Sequence, residues 1–227
     1  MSEKAQTLRF IHLLPIILSL LASLFILLGT DAVLASHANW THNYYTHSSF
    51  YHEWVCVDAA GSSMSTSTAR DRVKNTLRYD NPSSDWHALA SNRIYFEFQS
   101  LSCGVLTSEQ LAGMRMRAYV KDNTSSICGQ NVSCFQSFSP VMHSGMTAHA
   151  YNKIFFKTSH INGSAFFYHH TIGHEFGHTL GLADPSDCNS VSIMHSAYYG
   201  CTDHEWPTSS DRAAVSNIAN HYTIPGG

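Results

Sequence analysis

Two histidines four residues apart, His174 and His178, enclose Glu175, and Gly181 and Asp184 follow them at short spacing. On a helix, positions i and i+4 share a face, so both imidazoles can reach one metal ion while Glu175, one step round, fronts the same cleft as a base. Gly181 can end such a helix in a left-handed conformation that most residues avoid, turning the chain so that Asp184 supplies a third ligand. Two imidazoles and one carboxylate, with the fourth position open to water, form a catalytic rather than a structural zinc site. The bland alternative is a helix whose histidines only fill a core, and it gives no account of a buried glutamate between them with no basic partner nearby in sequence. Asp187 is close enough to compete with Asp184 for the third place.

The stretch His174-Glu175-Phe176-Gly177-His178-Thr179-Leu180-Gly181-Leu182-Ala183-Asp184 resembles the signature H-E-x-x-H-x-x-G-x-x-H/D of the metzincin metalloproteases. Its aspartate ending is most similar to the snapalysin-type enzymes, small secreted bacterial endopeptidases. The resemblance implies an α+β, metzincin-like fold over roughly Glu53 to His221: a mixed twisted sheet, an active-site helix, and a small C-terminal subdomain ending in a helix. It also implies one catalytic zinc ion held by His174, His178 and Asp184, with Met194 as the Met-turn, the apolar floor beneath the metal. Glu175 would take a proton from a zinc-activated water attacking a peptide carbonyl, then deliver a proton to the leaving amine. An aspartate in the third place adds negative charge and makes zinc a slightly weaker Lewis acid than three imidazoles would. A tyrosine found in some metzincins two residues after the methionine is here Ser196, so that auxiliary role does not transfer. Tyr198 and Tyr199 are expected as walls of the specificity pocket. Calcium is common in the family, but no D-x-[DN]-x-[DN]-G loop is present, so it has no motif behind it. Two other readings share these residues: a secreted peptide-binding or adhesion module without turnover, and a zinc amidase acting on cell-wall peptides.

The elements that must position this site can be read from hydrophobic periodicity. Trp54-Val55-Cys56-Val57 predicts a first strand beginning at Glu53. Ala69, Val73 and Leu77 predict an amphipathic helix capped near Ser65 to Ser67, with Arg70, Arg72, Lys74 and Arg78 on a solvated face. Asn81 to Asp85 breaks that helix, and a second strand covers Arg93 to Gln99. Met114, Met116, Ala118 and Val120 alternate with polar residues as a one-sided strand. Asp122 to Ser139 reads as a disulfide-pinned loop, and Asn152 to Thr158 as a further strand. Ser164 is placed to cap a metal-binding helix running from about Ala165 to Leu180. His170 shares the stripe of His174 and His178, but i and i+8 lie ~12 Å apart along a helix, so it belongs beside the cleft rather than on the metal. His169 is expected at the surface or an interface, and His204 and His221 in structural or surface work. Pro207 to Asp211 opens a closing helix whose apolar stripe is Ala214, Val215, Ile218 and Ala219.

Composition places this machinery outside the cytoplasm. Lys4 and Arg9 precede an apolar run from Phe10 to Leu28 and small residues at Val33-Leu34-Ala35, so residues 1–35 read as a signal peptide; an uncleaved anchor is the alternative. Residues 36–52 form an N-terminal arm in which His37, His42, His47 and His52 recur every five, a period that matches neither a helix nor a strand face. Residues 53–227 form one catalytic domain. The six cysteines all lie in the exported part, as disulfides in an oxidising compartment would. Of fifteen possible pairings, proximity favours Cys128–Cys134 and Cys188–Cys201, leaving Cys56–Cys103. Asn39, Asn123, Asn131 and Asn162 head glycosylation sequons. The net charge of −3 shows no basic excess for nucleic acid or an anionic membrane. The expected protein is a secreted monomer acting on protein or peptide substrates.

Overall fold

The computed structural model describes residues 51–81, 85–86, 94–112, 114, 116–143, 146–185, 188, 191–195 and 201–221. Strand β1 (Tyr51–Asp58) leads into helix α1 (Thr66–Arg78) and strand β2 (Ile94–Phe98). A 3-10 turn at Cys103–Val105 and short helix α2 (Ser108–Ala112) precede β3 (Met116–Lys121), and α3 (Ser125–Cys128) precedes β4 (Cys134–His143) and β5 (Met146–Lys157). The chain continues through α4 (Thr158–Ile161) and α5 (Ala165–Thr179) to α6 (Ser209–His221). This is an α+β fold with a mixed five-stranded sheet in the order β2-β1-β3-β5-β4. The pairs β1–β2, β1–β3 and β3–β5 are parallel, and β4 runs antiparallel to β5 at the edge.

Helix α1 starts where its sequence asks. Ser65 has an extended backbone, and its hydroxyl accepts the Thr68 N–H at 3.1 Å, satisfying one donor of the first turn. Ala69, Val73 and Leu77 are fully buried against one face of the sheet. There they join Val55, Val57, Phe96, Met116, Ala118, Val120, Ile154 and Phe156 from the strands and Ile172, Phe176 and Leu180 from α5. Phe176 sits edge-on to Phe96 at 5.7 Å, so α5 is seated across several strands rather than one. A smaller cluster of Cys56, Cys103 and Met114 covers the other face, joined there by Trp54 and Tyr119.

Several expectations change here. The segment from Asp122 to Ser139 is not all loop, because it holds helix α3 and its last third is the start of β4. An edge strand takes ladder hydrogen bonds from one neighbour only, tolerates Pro140, and needs no continuous apolar run, so its pattern is weak in sequence. β1 begins at Tyr51, inside the segment assigned to the arm. Met114 precedes β3 and packs on the face opposite Met116, and Arg117 is buried instead of solvated. Arg117 donates to the Met114 and Leu111 carbonyls, at 3.2 and 2.7 Å, and stacks over Tyr151.

The arginines of α1 are also committed rather than solvated. Arg70 donates to the Ser100 carbonyl, Arg72 to Ile161 and Arg78 to Phe96, tying the helix to the loop after β2, to α4 and to β2. The three disulfides are Cys56–Cys103, Cys128–Cys134 and Cys188–Cys201, the expected set. They fit an oxidising compartment. Among the described residues no helix is long and apolar enough to cross a membrane. The signal segment, residues 36–50 of the arm, Asn39, Asp187, Ser196, Tyr198 and Tyr199 lie outside the described residues.

Candidate metal centre

Helix α5 carries the histidines, and the way it ends brings the third acidic group to them. Ser164 stands at its N-cap with extended backbone, as expected, but its side chain makes no capping hydrogen bond. At the other end Gly181 adopts φ +93°, the left-handed conformation. The Leu182 N–H donates to the Gly177 carbonyl at 3.1 Å and the Gly181 N–H to His178 at 3.1 Å, the paired closure of a Schellman motif. The turned-back chain then offers the Leu182 carbonyl to His178 Nδ1 at 2.8 Å and carries Asp184 to the imidazoles.

Asp184 Oδ1 lies 3.2 Å from His174 Nε2 and 3.5 Å from His178 Nε2, and the three atoms converge as a potential metal group. A tetrahedral zinc ion with bonds near 2.0–2.1 Å keeps its ligand atoms about 3.3 Å apart, so this spacing fits a metal directly. The ring orientations agree. His174 Nδ1 donates to the Ile193 carbonyl at 3.1 Å and His178 Nδ1 to Leu182, which turns both Nε2 atoms towards Asp184, as metal coordination would require. His174 is buried, whereas the Asp184 side chain is 46% exposed, so the centre opens to solvent on the aspartate side.

The electrostatics match that geometry. Burial would lower His174, but the Asp184 hydrogen bond and the Glu175 and Asp184 charges outweigh it and hold the ring up at about 9. Burial and the neighbouring His174 push His178 down to about 4. The pair therefore shares one proton, on His174 and directed at Asp184. Glu175 is buried, and burial raises it to about 7 against the opposing pull of His174. A carboxyl poised near neutrality beside two ligands is suited to passing a proton.

Met194 is fully buried beneath α5. A Cβ built on Gly177 would fall 2.3 Å from Met194 Sδ and 3.2 Å from the Trp86 ring, and one on Gly173 would fall 2.5 Å from the Ile193 side chain. The two glycines, each directly before a histidine, thus let the Ile193–Met194 turn lie directly against the helix. Ala is favoured over Gly in a helix interior by about 1 kcal/mol, but overpacking a filled core costs about 1–3 kcal/mol. Gly177→Ala should therefore lower the melting temperature in calorimetry; an unchanged or raised value would mean that Met194 is not wedged.

Trp86 was not legible as part of this centre. It is buried, and its indole N–H donates to the Gly173 carbonyl at 2.7 Å, bracing α5 from below. Its only sequence signal is a large aromatic directly after a loop-like run. Phe135 on β4 lies 5.7 Å from the His178 ring and was equally unmarked.

His170 stands beside the ligands and not among them, with Nδ1 donating to the His204 carbonyl at 2.8 Å. His169 corrects its expectation, since it is buried and not at the surface. Its two ring nitrogens meet Asp80 at 2.9 Å and Glu205 at 2.7 Å, and Tyr168 and Trp206 flank the ring. A histidine with an acid at each end serves as a clamp between the end of α1 and the segment before α6. No protein-family profile matches the chain, and no curated protein matches its sequence.

Proposed function

We propose that this chain is an exported zinc endopeptidase of the metzincin type, with His174, His178 and Asp184 as ligands and Glu175 as general base. The observation that carries the reading is the convergence of His174 Nε2, His178 Nε2 and Asp184 Oδ1, all within 4.8 Å of one another, with buried Glu175 next to His174 on the same helix. The element order of strand, helix, strands and metal-binding helix supports the family assignment, as does the buried Met194 turn beneath that helix. Three disulfides support export.

A zinc ion bound there supplies Lewis acidity, lowering the pKa of water towards about 7 and polarising a carbonyl. The side chains do the rest. The Ile193 and Leu182 carbonyls fix both rings with Nε2 turned inward. Asp184 completes the ligand set and faces solvent, the side from which a peptide can approach. Glu175 takes the proton of the attacking water and returns a proton to the departing amine, so the peptide C–N bond breaks without a serine or cysteine nucleophile.

The test is hydrolysis of casein by the purified protein, with loss of activity in chelator and recovery on adding zinc. Zinc binding without cleavage of casein or peptides would favour the non-catalytic peptide-binding module. Cleavage confined to peptidoglycan fragments would favour the amidase.

A further inference from the structure

Asp211, the third residue of α6, is fully buried, although a carboxylate that only caps a helix can stay at the surface. Part of its role is a capping box: the Thr208 N–H donates to Oδ2 at 2.8 Å, and the Asp211 N–H donates to Thr208 Oγ1 at 3.3 Å. The rest points elsewhere. The Ile193 N–H donates to Oδ2 at 2.9 Å, and the Ser192 hydroxyl donates to Oδ1. Ser192 Oγ in turn accepts the Met194 N–H at 3.0 Å. The oxygen of that same peptide group, the Ile193 carbonyl, accepts from His174 Nδ1 at 3.1 Å.

We infer that Asp211, acting through Ser192 and the Ile193–Met194 peptide, is a positioning residue that orients His174 and strengthens it as a metal ligand. Every donor in the chain points the same way: His174 Nδ1–H to Ile193 oxygen, Met194 N–H to Ser192 Oγ, and Ser192 Oγ–H to the carboxylate. Aligned hydrogen bonds in a dry interior polarise one another, so the negative charge at the far end makes the Ile193 oxygen a better acceptor and Nε2 a better donor to a metal. Histidine ligands commonly gain this support from a carboxylate in direct contact. Here the carboxylate acts across one hydroxyl and one peptide. His178 rests instead on the Leu182 carbonyl, in the turn whose Leu182 N–H closes the helix on Gly177. The metal chemistry of this role rests on the proposed zinc centre, whereas the hydrogen-bond chain does not.

The experiment measures Zn2+ affinity of the full-length protein by competition with a chromophoric chelator, alongside thermal unfolding of the metal-free form. Ser192→Ala cuts the chain but leaves the Asp211 bonds to Ile193 and Thr208, and it should weaken Zn2+ by about tenfold. Ser192→Thr restores the hydroxyl and should recover most of that loss. Thr208→Val removes the cap hydroxyl and with it one donor to Asp211 Oδ2, at 2.8 Å, but leaves the Ser192 link intact, so it should lower the melting temperature while weakening Zn2+ far less than Ser192→Ala does. Undiminished affinity in Ser192→Ala would overturn the role, as would Thr208→Val weakening Zn2+ equally. A parent that binds no Zn2+ overturns the metal centre and this role together, and is recognisable because all variants then fail alike.

Discussion

Glu175→Gln should bind zinc as the parent does and lose peptidase activity by about 10²–10⁴-fold, the usual contribution of a positioned general base. Gln keeps the size and the hydrogen-bonding end of the side chain but cannot accept and return a proton. It is not one of the three atoms that converge as ligands, so metal affinity should survive. The substitution also removes a buried carboxyl that burial holds up at about 7, so folding should not suffer for the loss of an ionised group. Activity on casein and metal content measured on the same sample decide the matter. A zinc-loaded Gln variant that still cleaves at parental rate would remove Glu175 from the mechanism.

Asp184→Ala should weaken zinc by more than about 100-fold, beyond the 10–100-fold typical of losing a residue that merely supports a ligand. It should also change how binding depends on pH. In the metal-free parent, His174 keeps its proton up to about 9, mainly because Asp184 and Glu175 outweigh its burial, and His178 is already neutral above about 4. Metal must then displace one proton, from His174, throughout the range between those values. Apparent affinity should fall about tenfold from pH 8 to pH 7, above the range in which Glu175 is mostly protonated as well. Without Asp184 the principal acceptor of that proton is gone, and the dependence near pH 8 should flatten. Calorimetric titration in buffers of different ionisation enthalpy would count the released proton. Parental affinity in Asp184→Ala would move the third ligand elsewhere, with Asp187 the first alternative; a flat parental profile from pH 8 to pH 7 would contradict the shared proton.

Much of this centre could be read because helix geometry is local. The spacing of His174 and His178 places them on one face, and Gly181 supplies the positive φ that turns the chain back towards Asp184. Helix α1 and its Ser65 cap were legible for the same reason, as was α6 beginning near Asp211. The disulfide partners followed from short separations that leave few alternatives.

What tertiary structure alone decided is which groups far apart in sequence share a hydrogen bond. β4 as an edge strand, the arginines of α1 clamped on distant carbonyls, and His169 buried between Asp80 and Glu205 have no periodic signature. Trp86 braces a helix from 87 positions away. Asp211 looked like an ordinary helix start because its cap bonds are local, whereas its contacts with Ser192 and Ile193 exist only once the chain folds back. Which residues could hold a metal was therefore legible from residue type and helical spacing. The orientation of both rings is set by buried backbone carbonyls, and the contact of Asp211 with the Ser192–Ile193 turn exists only in the fold, because a polar group removed from water must find its partners wherever packing puts them.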